Sequence, residues 1–185
     1  MEQGLKKEWS PNSLEKMLET YRTDAPERWW LFEGLEIVVP TITFTDSWEM
    51  DGVQFTNHGG HSDCSSTVYV PEDRTLFAGD LLFVGMFPWA GDPTANPDHW
   101  IDAFQDMLKM DIETIIPGHG PLCDLDEVER QLSWMKEVRW VMQGLIQDGE
   151  TEDVIASYNY RVLYPTDHPE WQKKSYARWY NVWKP

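Results

Sequence analysis

The stretch "GGHSDCSSTVYVPEDRTLFAGDLLF", Gly59 to Phe83, decides how the rest of the chain is read. Two apolar, β-branched runs, "STVYV" and "TLFAGDLLF", flank "PEDR", a turn composition, so the stretch reads as consecutive strands. His61 follows Gly60 just before the first run, and Asp80 follows Gly79 inside the second. The same grammar recurs downstream in "IIPGHGP", Ile115 to Pro121, where His119 follows Gly118 at the end of an apolar run. A glycine before a polar residue at a strand end allows a sharp turn or a close backbone approach, because it has no Cβ. Three such endings on neighbouring strands bring His61, Asp80 and His119 to one rim as a candidate ligand set. Imidazole and carboxylate suit zinc, and also iron or manganese. The alternative is that each histidine bonds to backbone in a turn and Asp80 caps a loop; the repetition favours the ligand set.

Outward from this stretch, "VQFTNHGG" reads as the strand before it, and "LEIVVP" and "TITFTD" are further β-branched runs upstream. Ser10 and Pro11 look like the cap and first turn of a helix to about Tyr21, with Leu14, Met17, Leu18 and Tyr21 on one face. After the Pro-, Gly- and Trp-rich loop "FPWAGDPTANPDHW", residues from Asp98 to Met110 have helical spacing. "TIIPGHG" is a buried strand, Asp124 to Ile146 a long amphipathic helix ended by Gly149, and "WQKKSYARWYNVWKP" an aromatic helix. The order is α, a block of β, then α, β, α, α, in a single domain over residues 1–185.

The motifs "GGHSDCSSTVYVPEDRTLFAGDLLF" and "IIPGHGPL", with the Trp-containing helix between them, resemble the C-terminal half of the metallo-β-lactamase-fold hydrolase superfamily, from about Ile37 to Leu122. The resemblance implies an α/β fold, an αββα sandwich present here only as its C-terminal sheet and flanking helices. It implies His61 as a ligand of a first metal, Asp80 as the bridging and catalytic aspartate, and His119 as a ligand of a second. The cofactor implied is zinc, one or two ions, with iron or manganese as alternatives. Activity by analogy is hydrolysis of an ester, thioester, lactone or amide bond in a small-molecule substrate by metal-activated water.

The family's HxHxDH signature does not occur. The five histidines are His58, His61, His99, His119 and His168, and none forms a His-x-His pair. A complementary N-terminal half is therefore expected on another chain, in a second copy within a homo-oligomer, or in a longer gene product of which this chain is a fragment, and it would also cover an exposed sheet face and its edges. The other class of reading is a non-catalytic, truncated relative that serves as a partner-binding or structural subunit.

Bulk properties narrow the partners. A net charge of −17 over 185 residues argues against nucleic acid and against the family's nuclease members. No apolar stretch approaches the roughly 18 residues of a membrane span, and the N-terminus has no apolar leader, so a cytoplasmic location without membrane contact is expected. Two cysteines are too few for a disulfide scaffold. Cys64 and Cys123 do give His-x2-Cys and His-x3-Cys spacings with His61 and His119, an alternative structural zinc site that would leave Asp80 without a role. His58 reads as a strand-end residue, and His99 and His168 as surface residues at helix starts. Met86, Phe87 and Trp89 form either a substrate wall near the site or core packing. The C-terminal aromatics Trp171, Tyr176, Trp179, Tyr180 and Trp183 are candidates for core or an oligomer contact.

Overall fold

A computed structural model describes residues 11–31, 34, 38 and 40–185. The expected cap at Ser10 and most of the "LEIVVP" run lie outside the described residues. Two compact units are present, Met1–Thr43 and Phe44–Pro185.

In the first unit, helix α1 spans Pro11–Asp24, and its half-buried stripe is the expected one of Leu14, Met17, Leu18 and Tyr21. Ala25 continues the turn by donating to the Tyr21 carbonyl at 3.0 Å, and a 3-10 helix follows over Pro26–Leu31. Trp29 lies under the Arg22 guanidinium, 4.3 Å from its ring centroid.

The second unit is a mixed α/β arrangement built on one five-stranded sheet in sequential order. Strands β1 (Ser47–Met50), β2 (Val53–Asn57), β3 (Ser66–Val70) and β4 (Thr75–Phe83) form an antiparallel meander, and β5 (Thr114–His119) adds parallel to β4. The "TITFTD" run is not a strand; Thr41–Asp46 is bend and coil. The first strand is instead "SWEM", whose ladder with β2 places Trp48 opposite Phe55 at 4.9 Å between rings, so cross-strand aromatic packing outweighs β-branched composition here.

Between β4 and β5 runs helix α2 (Pro97–Met107), shorter than its periodicity suggests because Leu108–Met110 close it as a turn. Asn96 caps it, accepting from the Asp98 and His99 amides. Helix α3 (Leu125–Gln147), capped by Asp124, matches the expected amphipathic segment, with Gly149 just past its end. A short helix α4 (Glu152–Ala156), not anticipated, precedes α5 (Pro169–Trp183).

Leu76, Ala78 and Ile115 of the sheet face a core with Trp100, Phe104 and Met107 of α2, Trp134 and Met135 of α3, and Tyr176 and Trp179 of α5. Tyr176 and Trp179 are thus core of this chain and not available to an oligomer contact. Trp100, Trp134 and Trp179 are fully buried, and truncating any of them to alanine would cost about 3–5 kcal/mol. Trp100 and Trp134 donate their indole protons to the Leu81 and Arg161 carbonyls at 2.7 and 2.8 Å, so these buried donors are satisfied.

Candidate metal centre

Strand β4 alternates buried Leu76, exposed Phe77, buried Ala78 and exposed Gly79, as a one-sided strand should. Asp80 then breaks the phase and is also exposed, and Leu81 turns inward again. The cause is a β-bulge: β4 advances from Gly79 to Phe83 while its partner advances only from Pro117 to His119. Gly79 sits at φ +52°, in the left-handed region that glycine enters without a Cβ penalty. The bulge lifts Asp80 off the core side and aims it at the end of β5, where His119 stands.

His61, Asp80 and His119 come together as the spacing suggested. His61 Nε2 is 3.7 Å from Asp80 Oδ2, and His119 Nε2 is 3.4 Å from Asp80 Oδ1, so the two rings face opposite oxygens of one carboxylate. His119 is held by stacking on Phe83 at 4.8 Å and 16° between planes. His61, with its side chain 13% exposed, is wedged edge-on against Trp100, and its Nδ1 lies 2.9 Å from the Trp89 carbonyl oxygen. A carbonyl only accepts, so Nδ1 carries a proton, which leaves Nε2, on the side of Asp80, as the ring nitrogen open to an ion. That is the tautomer a ligating histidine needs.

The donor set fits a zinc-type ion in kind and falls short in number. Each side of Asp80 has one imidazole and one carboxylate oxygen, whereas a catalytic zinc has three protein ligands. No group of three His, Cys, Asp or Glu side chains among the described residues could hold an ion unaided. The thiol alternative fares no better. Cys123 pairs through its backbone with Ile115, and burial, with Glu127 and Asp124 nearby, pushes its thiol up to about 11. His58 bonds to Thr67 Oγ1 at 3.0 Å; His99 and His168 are exposed, the latter pairing with Glu170.

A cavity of about 670 Å³ opens beside the three residues. Met86, Phe87 and Trp89 line it as one of the two readings held, and Phe87 also packs on Trp134 and Tyr176, so the wall is anchored in the core. A second wall is one the sequence did not signal. Helix α5 contributes Glu170, Trp171 and Lys174, with the Lys174 ammonium 5.6 Å from the Trp89 ring centroid. Only the folded path brings residues this distant in sequence together, though an i, i+1, i+4 stripe on the terminal helix marks them as one face.

A family model described as the metallo-beta-lactamase superfamily matches residues 5–119, which takes in all three site residues. The chain belongs to that superfamily. The match begins well before the motifs from Ile37 onward that carry the visible resemblance. Solved metallo-β-lactamases are similar in fold to this superfamily member. DIM-1 is 22% identical over 49% of this chain and 45% of its own, with a TM-score of 0.44. TMB-1 is 20% identical over 58% and 51%, with a TM-score of 0.47. The enzyme from Pontibacter korlensis is 24% identical over 52% and 47%, with a TM-score of 0.42. The superfamily chain aligns with about half the length of these structures. No curated protein matches it.

Proposed function

We propose that this chain supplies part of a metal-dependent hydrolase site acting on an ester, thioester, lactone or amide bond of a small substrate. The observation that carries this reading is the approach of His61 and His119 to opposite oxygens of Asp80 at the edge of an apolar cavity. His61 with Asp80 would hold one ion, and Asp80 with His119 a second; zinc suits these donors best, with iron or manganese as alternatives. A bound ion of this kind supplies Lewis acidity and a water nucleophile at neutral pH. The chain's own residues do the rest. Phe83, Met86, Trp89 and Trp171 hold the organic part of the substrate and keep bulk water from the rim, and the Trp89 carbonyl holds His61 in its ligating tautomer.

Two donors per ion call for further ligands, and a complementary N-terminal half, on another chain, a second copy or a preceding segment of the same protein, would supply them. A cytoplasmic location belongs to the same reading, in keeping with two free cysteines. A purely structural subunit has no use for this convergence, so the non-catalytic alternative is not favoured. Native mass spectrometry after incubation with zinc tests the proposal by reading subunits and bound ions in one spectrum. The expected result is an assembly with one or two ions that hydrolyses at least one of the four bond classes, with ions and turnover lost in Asp80→Ala. An assembly that stays metal-free and inert on all four overturns it.

A further inference from the structure

The peptide unit between Trp89 and Ala90 is hydrogen-bonded at both ends. Its carbonyl accepts from His61 Nδ1 at 2.9 Å, and its N–H donates to Ser175 Oγ at 2.9 Å. The Ser175 hydroxyl in turn donates to the Trp171 carbonyl at 2.8 Å, within α5. Ser175 and Ala90 are both fully buried, so water does not compete for these bonds.

We propose that Ser175 is a positioning residue for His61, acting through the 89–90 peptide to fix which ring nitrogen carries the proton. In a planar trans peptide the N–H and C=O point in opposite directions, so anchoring the Ala90 N–H on α5 aims the Trp89 carbonyl away from α5 and at the imidazole. The segment from Val84 to Asn96 has no ladder or helix of its own to fix that orientation. Serine serves where alanine would not, because its oxygen accepts from Ala90 while its proton is spent on Trp171. Bonds in series polarise one another, which strengthens the terminal contact to His61. Among the described residues, the one other hydrogen bond between α5 and this loop, from Arg178 Nε to the Ala95 carbonyl at 2.8 Å, holds the loop's far end and leaves the 89–90 peptide untouched. The importance of the tautomer for ligation rests on the reading of His61 as a metal ligand; the positioning itself does not.

The test is ¹⁵N long-range correlation of the His61 imidazole in metal-free protein at about pH 8, where an ordinary imidazole is neutral. Ser175→Thr and Ser175→Val add the same bulk and differ by the hydroxyl. Wild type, Ser175→Thr and Arg178→Met should show His61 as the Nδ1–H tautomer. Ser175→Val should show a mixture, and its zinc affinity should fall about 10–100-fold relative to Ser175→Thr. A folded Ser175→Val that keeps a pure Nδ1–H ring overturns the proposal. So does wild-type His61 in the Nε2–H form, which needs no variant to fold. Because the tautomer is read without metal, a correct tautomer pattern alongside no zinc uptake would count against the hydrolase reading alone.

Discussion

Gly118 lies so close against Asp80 that a Cβ at residue 118 would overlap the aspartate's Oδ1 and stand 2.6 Å from the Gly79 carbonyl carbon. The residue before His119 is therefore small because the carboxylate occupies the space where a side chain would go. Gly118→Ala should displace Asp80 or β5, lower stability by about 1–3 kcal/mol and abolish zinc uptake. Gly144→Ala, in exposed helix with no neighbour within 4 Å, should stabilise by roughly 0.5–1 kcal/mol. Urea unfolding and zinc titration of both variants check the contrast.

Gln131 links α3 to the site strand. Its amide is 1% exposed and donates to the Phe83 carbonyl at 2.6 Å, directly behind the ring on which His119 stacks. Gln131→Leu would take that donor from the Phe83 carbonyl and a second one from Glu127 Oε1, a cost of about 1–3 kcal/mol. The partnerless Oε1 of Gln131 disappears in the same substitution and trims the loss toward the lower figure. Urea midpoints at one pH measure it.

Acid should destabilise the protein partly through His58. Burial lowers its proton affinity, against a smaller opposing effect from Asp106. The unfolded chain takes up a proton as pH falls through about 6.5, while the folded ring resists it, so this contribution is present above that pH and lost below. His58→Gln removes the titration. The stability difference between pH 7.5 and 5.5 should be smaller in the variant, and an unchanged difference would refute the assignment.

At the alkaline end the sign is reversed. Cys123, raised by burial and by Glu127 and Asp124 from 9.0 to about 11, favours its protonated form in the fold. Its share of stability is complete below about pH 9 and is lost as pH rises toward about 11. Alkylation by iodoacetamide, followed by mass spectrometry, should show Cys123 reacting at pH 8 more slowly than a free thiol of ordinary acidity.

Much of this was legible in the sequence, and the exceptions have physical causes. Strands β2 to β5 and helices α2, α3 and α5 carry strong local signals, namely β-branched runs, caps and helical spacing. Strand β1 does not, since "SWEM" owes its state to Trp48 meeting Phe55 across the ladder. His61, Asp80 and His119 stand out because each follows a glycine, and all three glycines have structural reasons: Gly60 at φ +104° tight against Leu81 and Trp100, Gly79 in the bulge, and Gly118 in contact with Asp80. The α5 wall and the bond from Ala90 to Ser175 were not legible, because they depend on how helices pack across a wide sequence separation.

The parallel pairing of β5 with β4 also predicts an order of assembly. The antiparallel β1–β4 meander closes through short turns, whereas β5 docks only after the long crossover through α2 is brought round, a slower search. A folding intermediate holding the meander alone would already carry His61 and Asp80 but not the Phe83–His119 stack. Appearance of that stack is thus a clock for the docking of β5, and refolding followed at His119 should lag refolding followed at Trp48.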